Sequence, residues 1–239
     1  MKRNVGIILI IASLVPIMLA CQAATSGGNG TAVPPSSTDS PTTPTQPGSG
    51  NVLLSDDFSS AKWGTGTDSD SSVEYANEAL QFVVFIKNSF VWSTPPNNRD
   101  YQNVHMEVTV LNNGTDSTTT FGLMCNQQES AQRSFYYFAM TPAGQYAIAK
   151  ASEEKSDIFL TNNDQFAVSD LIVQDAPSYR LGVDCGSDGT LTFYVDGQQI
   201  ASVSDVSYTS GGIALFTWSG EEATKTDVSF DDFLMTKLE

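Results

Sequence analysis

Tyr179-Arg180-Leu181-Gly182-Val183 and Leu191-Thr192-Phe193-Tyr194-Val195-Asp196-Gly197 decide how this chain folds. In the second segment apolar and polar side chains alternate, the period of a strand with one face buried. Asp196-Gly197 then ends it as a tight hairpin turn, because glycine supplies the positive φ that such a turn needs. Gly186-Ser187-Asp188-Gly189 marks the reverse turn between the two segments, so together they read as a long antiparallel hairpin.

The same grammar runs through residues 51–239. Val104 to Val110 alternates apolar with polar, and Pro142-Ala143-Gly144 separates an aromatic strand, Ser134 to Met140, from Gln145 to Lys150. Gly211-Gly212 introduces Ile213 to Trp218, and Asp227 to Leu238 is the last strand. No stretch sustains a helical period. Ala167 to Val173 is the nearest approach to one and reads equally well as strand and loop. Many short strands punctuated by Gly, Asn, Asp and Pro predict an all-β antiparallel sandwich rather than a parallel α/β sheet.

Further landmarks fall in order along the chain. Asp56-Asp57-Phe58 and Trp63 come early, then the hairpin Tyr75-Ala76-Asn77-Glu78-Ala79-Leu80-Gln81-Phe82, then the long hairpin above, and finally Phe230-Asp231-Asp232-Phe233. This order resembles the concanavalin A-like lectin/glucanase jelly roll, in particular its laminin-G-like and 3-keto-disaccharide-hydrolase-like branch. The resemblance implies a jelly-roll β-sandwich over residues 52–237 and a function directed at carbohydrate. The chain departs from the family pattern at Glu78, where glycine usually follows Asn, so a different turn geometry is expected there.

What precedes the sandwich speaks of location. Lys2 and Arg3 form a basic start, Val5 to Ala20 is almost unbroken apolar sequence, and Cys21 closes it. This is the layout of a secretory signal peptide over residues 1–20. Ile17-Met18-Leu19-Ala20-Cys21 resembles a bacterial lipobox, which implies lipidation of Cys21 and an anchored protein outside the cytoplasm. A plain signal peptide or a membrane anchor are the alternatives, although the run is shorter than the roughly 18 residues a spanning helix needs. Residues 22–50 are rich in Ser, Thr, Gly and Pro, with Asp39 the only charge. They cannot build a core and are expected to be a disordered tether with a mean reach of about 30 Å. Three domains of use result: signal 1–20, lipidated tether 21–50, and sandwich 51–239.

The chain carries 11 basic and 27 acidic residues, a formal charge of −16, which becomes −18 when cleavage before Cys21 removes Lys2 and Arg3. Such a surface repels nucleic acid, anionic headgroups and polyanionic glycans. It suits neutral ligands and divalent cations, or serves solubility alone. Lipidation of Cys21 would leave Cys125 and Cys185 as a pair. In an oxidising compartment they are expected to form a disulfide; two buried thiols are the alternative.

Catalytic patterns are scarce. Glycosidases need two carboxylates about 5–9.5 Å apart, and no strand shows the Glu-x-Asp-x-x-Glu spacing of the related glucanases. Glu107 sits alone on its strand, and Glu153-Glu154 and Glu221-Glu222 are neighbouring pairs in loops, where side chains point apart. His105 is the only histidine and has no partner nearby in sequence, so a histidine-based transition-metal site is excluded. The resemblance implies adjacent first and last strands, which would gather Asp56, Asp57, Asp231 and Asp232 as a possible calcium site. Asp68 and Asp70 are a second cluster in a Ser/Thr/Gly loop; either set is otherwise simply solvated. For glycan, the stacking candidates are Trp92, Tyr136, Tyr146 and Trp218, each of which could equally be core. Phe135, Tyr136 and Tyr137 alternate, so one face of that strand must be core and the other the groove.

The reading is a monomeric, lipid-anchored surface protein whose jelly roll binds neutral carbohydrate or serves adhesion. The alternatives are a glycoside hydrolase acting on a modified disaccharide, and a structural or sensory ectodomain that contacts protein partners.

Overall fold

The computed structural model describes residues 51–238 except 132, 154, 164 and 222–224. The expected signal peptide, Cys21 and the tether, together with Glu154 and Glu222, lie outside the described residues. Sixteen strands follow in chain order: β1 (Val52–Asp56), β2 (Gly66–Thr67), β3 (Ser71–Ala76), β4 (Ala79–Val84), β5 (Phe90–Ser93), β6 (Val104–Asn112), β7 (Thr120–Gln127), β8 (Phe135–Met140), β9 (Gln145–Ser152), β10 (Lys155–Phe159), β11 (Ala167–Val168), β12 (Ser178–Cys185), β13 (Thr190–Val195), β14 (Gln198–Ser204), β15 (Gly212–Trp218) and β16 (Thr226–Lys237). Ala167 to Val173 is thus a short strand running into a turn, not a helix.

The strands make two antiparallel sheets. One has the order β14-β13-β12-β6-β16-β4-β3-β2, with β1 also on β16; the other runs β10-β9-β8-β7-β15-β5, with β11 also on β9. The hairpin that decided the fold appears as β12 and β13, in register from Leu181 opposite Val195 to Cys185 opposite Leu191. Alternation determines what each sheet gives to the core. Met106, Val108 and Val110 of β6, and Leu181, Val183 and Cys185 of β12, point inward from the first sheet. Phe121, Leu123 and Cys125 of β7, and Tyr136, Phe138 and Met140 of β8, meet them from the second. The Cys125–Cys185 disulfide joins β7 to β12 and so ties the two sheets through the core, closing a loop with a sequence separation of 60. In the chain-entropy account a loop of that size restricts the unfolded chain by about 4 kcal/mol.

The β3–β4 turn corrects one expectation. Asn77 and Glu78 have φ of 54° and 60°, so the ordinary two-residue turn is kept with a glutamate in the left-handed region that glycine favours. Ala76 still pairs with Ala79 across it. The strand pairing outweighs the strain, since a side-chain-bearing residue in this region costs on the order of 1–2 kcal/mol. Replacing Glu78 with glycine relieves that strain but loosens the unfolded chain. We expect Glu78→Gly to raise stability by about 0.5–1 kcal/mol, measured as an upward shift of the urea midpoint at unchanged slope.

Candidate functional site

The outer faces of the two sheets differ in chemistry. On the first, the residues of β6 and β12 that alternate with the core make a polar strip. His105 Nδ1 lies 2.6 Å from Asp184 Oδ1, and its Nε2 lies 3.3 Å from Glu107 Oε1. Arg180 donates to Glu107 at 3.1 Å, to Thr109 at 3.1 Å and to the Asp232 carbonyl at 2.7 Å. Tyr194 donates to Asp184 at 2.8 Å. Glu107 is therefore not alone, and His105 does have partners. Asp184 comes from a strand 79 positions away, a distance at which sequence neighbourhood is silent. Burial would lower the imidazole's pKa, but hydrogen bonds donated to Asp184 and Glu107, and the charges of those carboxylates, outweigh it and raise the value from 6.5 to about 9. Both ring nitrogens are engaged, so His105 is a charged clasp between β6 and β12.

On the second sheet the outward positions are apolar. Met124, Phe135, Tyr137, Ala139, Ala149, Ala151, Ala214 and Phe216 form a cluster of their own, with Phe90, Phe159 and Phe166 packed against it. Phe90 stacks on Phe216 with centroids 4.8 Å apart, and Trp92 lies 5.9 Å from Phe90. Trp92 is 39% exposed. Trp218 is half-buried and pairs opposite Phe90 across β5 and β15. Both tryptophans are therefore on this face. Tyr136 and Tyr146 are not. Tyr136 is fully buried between the sheets, its hydroxyl bonded to Asp205, and Tyr146 packs against the same inter-sheet core. Their strand positions share the parity of Phe138 and Ile148, which the core needs. Phe135 and Tyr137 are the residues of β8 that face outward, a pair the sequence set beside Tyr136 without choosing between them.

Beside Trp92 this face opens into a cleft of about 1030 Å³, walled by the 94–100 loop, the 127–130 segment and the start of β15. Its walls are tied down. Asn98 Nδ2 donates to the Ile213 carbonyl at 3.1 Å and its Oδ1 accepts from the Ile213 amide at 2.9 Å. Gln128 Nε2 donates to the carbonyls of Asn126 and Ser210. Arg99, Asp100 and Glu129 line the space between. One exposed indole among amides, hydroxyls and charges is a lining that can stack on a ring and bond its hydroxyls. The 94–100 and 127–130 residues were not picked out from sequence, since loop residues carry no period.

The calcium expectation meets a poor donor set. β1 and β16 do lie together, with Asp56 opposite Phe233. Asp56 Oδ1, however, accepts from the Phe58 amide and the Lys62 ammonium. Asp57 Oδ1 is taken by the Ser59 amide and hydroxyl, and Asp231 Oδ1 by the Asp232 amide. Burial, then the neighbouring Asp232, Asp57 and Glu78, push the Asp231 carboxyl pKa up. Asp68 closes its own turn onto the amides of Asp70 and Ser71. Among the described residues no three His, Cys, Asp or Glu side chains converge as metal ligands. Asp56 Oδ2 is buried without a hydrogen-bond partner, but no convergent ligand set forms around it among the described residues.

No protein-family description matches this chain, and no curated protein does. Solved structures match its shape. The carbohydrate-binding module CBM66 from Bacillus subtilis aligns with TM-score 0.51 at 14% identity, over 73% of this chain and 95% of that one. A Bacillus subtilis protein of unknown function with a galectin-like fold gives 0.57 at 11% identity, over 79% and 96%. β-Agarase A from Zobellia galactanivorans gives 0.55 at 12% identity, over 83% and 97%. The fold is thus a jelly roll of the concanavalin A-like lectin/glucanase type.

Two measurements probe these sites. The raised pKa of His105 means that its contribution to stability is complete below about pH 6.5 and is lost as pH rises through about 9. Denaturation midpoints are expected to fall across that interval, and His105→Gln should flatten the fall. Chelation with EDTA, or added calcium, is expected to leave the melting temperature unchanged.

Proposed function

We propose that this protein is an exported, lipid-anchored cell-envelope protein whose jelly roll binds neutral carbohydrate on the outer face of its seven-stranded sheet. The observation that carries the reading is the contrast between the two outer faces. A solvated face of an antiparallel sheet is ordinarily polar, as the His105–Arg180 strip is. The opposite face carries an aromatic cluster that is itself largely buried, with Trp92 exposed at its edge beside a polar cleft, and an exposed ring among convergent polar groups in a concave site is a lining that ligands use. A sugar is apolar on its ring faces and hydroxylated at its edges, which matches both parts. The names of two structural neighbours, a carbohydrate-binding module and an agarase, point the same way. The acidic surface favours neutral over sulfated or uronic glycans, and the tether from Cys21 would hold the domain off a membrane.

A second reading, glycoside hydrolysis, draws on Asp100 and Glu129, two carboxylates bordering the Trp92 cleft. Release of reducing sugar from bound polysaccharide separates it from binding alone. To test the first reading, affinity for a panel of neutral and anionic polysaccharides is measured by calorimetry. Trp92→Ala is expected to weaken neutral-glycan binding about 10- to 100-fold with little change in melting temperature, because the ring is substantially exposed. Absence of any glycan binding by the wild type rejects the reading and leaves a partner-binding ectodomain.

A further inference from the structure

The amides around the Trp92 cleft already serve the protein. Asn98 turns both ends of its carboxamide to the Ile213 backbone, and Gln128 Nε2 donates to the carbonyls of Asn126 and Ser210. These side chains fasten the walls. Three other lining side chains are uncommitted. Arg99, Asp100 and Glu129 are exposed, and among the described residues none of the three has a side-chain hydrogen bond or an ion pair. The other two described arginines each stand against a carboxylate, Arg133 at 4.0 Å from Asp157 and Arg180 at 3.1 Å from Glu107. Arg99 does not, although Asp100 follows it in sequence. Arg99 and Asp100 belong to the 94–100 loop and Glu129 to the 127–130 segment, so free groups stand on two walls of the cleft.

Their chemistry limits what they can hold. A guanidinium only donates and an ionised carboxylate only accepts. A ligand that satisfies both must offer acceptors and donors close together, and a hydroxyl is both at one atom. An ether or ester oxygen could accept from Arg99 but has no hydrogen for Asp100 or Glu129. One positive charge stands against two negative ones, so Arg99 does not turn the cleft into an anion site.

We propose that Arg99, Asp100 and Glu129 are the side chains that bond the ligand, and that the ligand is a neutral sugar ring with unblocked hydroxyls. The ring stacks on Trp92, accepts from the guanidinium and donates to the two carboxylates. This rests on the carbohydrate reading above and narrows it: rings with methylated or acylated hydroxyls are refused, and Asn98 and Gln128 hold the wall rather than the sugar. Hydrogen bonds to charged groups are the stronger kind, so these contacts set the specificity while the indole supplies area.

A cycle across protein and ligand tests this. Agaro- and mixed-linkage gluco-tetrasaccharides, their O-methylated derivatives and a glucosamine tetramer are titrated by calorimetry into the wild type, Arg99→Ala, Asp100→Ala, Glu129→Ala and Asn98→Ala, with melting temperatures as folding controls. On the free sugars each of the first three variants is expected to bind about tenfold more weakly at unchanged melting temperature, since these side chains are exposed. O-Methylation is expected to weaken the wild type by about the same factor or more. Asp100→Ala and Glu129→Ala then cost nothing further, because the hydrogen they accept is gone; such non-additivity marks direct contact. Asn98→Ala, by contrast, is expected to lower the melting temperature and to weaken free and methylated sugars alike. Variants that bind free sugars as well as the wild type does, or carboxylate variants that lose the same factor on both forms, overturn the inference and leave glycan binding intact. So does tighter binding of the glucosamine tetramer than of the neutral sugars, which would make the carboxylates a cation site. Failure of every probe to bind overturns the carbohydrate reading and this inference with it.

Discussion

Alternate residues of the central strands are sealed between the two sheets, and that burial governs what the outer faces can be. The inter-sheet cluster takes Phe121, Phe138, Tyr136, Tyr179 and Phe193 from both sides and includes the Cys125–Cys185 crossing. Apolar burial on this scale is the dominant favourable term in folding. A one-residue slip of any strand would exchange its core set for its outer set. The positions left outside are therefore fixed by the core. They are where this chain has placed a charged clasp on one sheet and a second, largely buried aromatic cluster edged by the exposed Trp92 on the other.

Legibility followed from contrast between neighbours. Val104 to Val110 alternates cleanly, and β6 spans Val104–Asn112 with the inward set the alternation implies. Asp196 and Gly197 take the positive φ values of a tight turn. In β8 the contrast vanishes. Phe135 to Met140 is apolar on both faces and buried throughout, so the period of two is present but carries no sign. That is why Tyr136 could be taken for a groove residue when Tyr137, its neighbour, faces outward.

Long-range pairs were illegible for a different reason. His105 and Asp184 meet only because β6 and β12 pair antiparallel, which puts them directly opposite. Nothing local to either residue announces the other. The aspartates show the converse failure. Asp56 and Asp231 do come to neighbouring strands, but amides of Phe58 and Asp232 each bond one of their oxygens, and among the described residues no three such side chains converge. Proximity on a sheet is readable from topology; lone-pair direction is not. Glu78 shows a third kind, in which paired strands impose a backbone conformation that the residue itself disfavours.

The clamp between Asn98 and Ile213 has a thermodynamic meaning for whatever enters the cleft. Two opposed hydrogen bonds between the Asn98 carboxamide and the Ile213 backbone hold the 94–100 loop to β15, and Tyr101 bridges to Gly211 beside them. A wall fastened in this way loses its conformational freedom when the chain folds. An incoming ligand finds it already ordered, so contact energy appears as affinity rather than being consumed in immobilising the loop. The cleft is a mould cast before the ligand arrives.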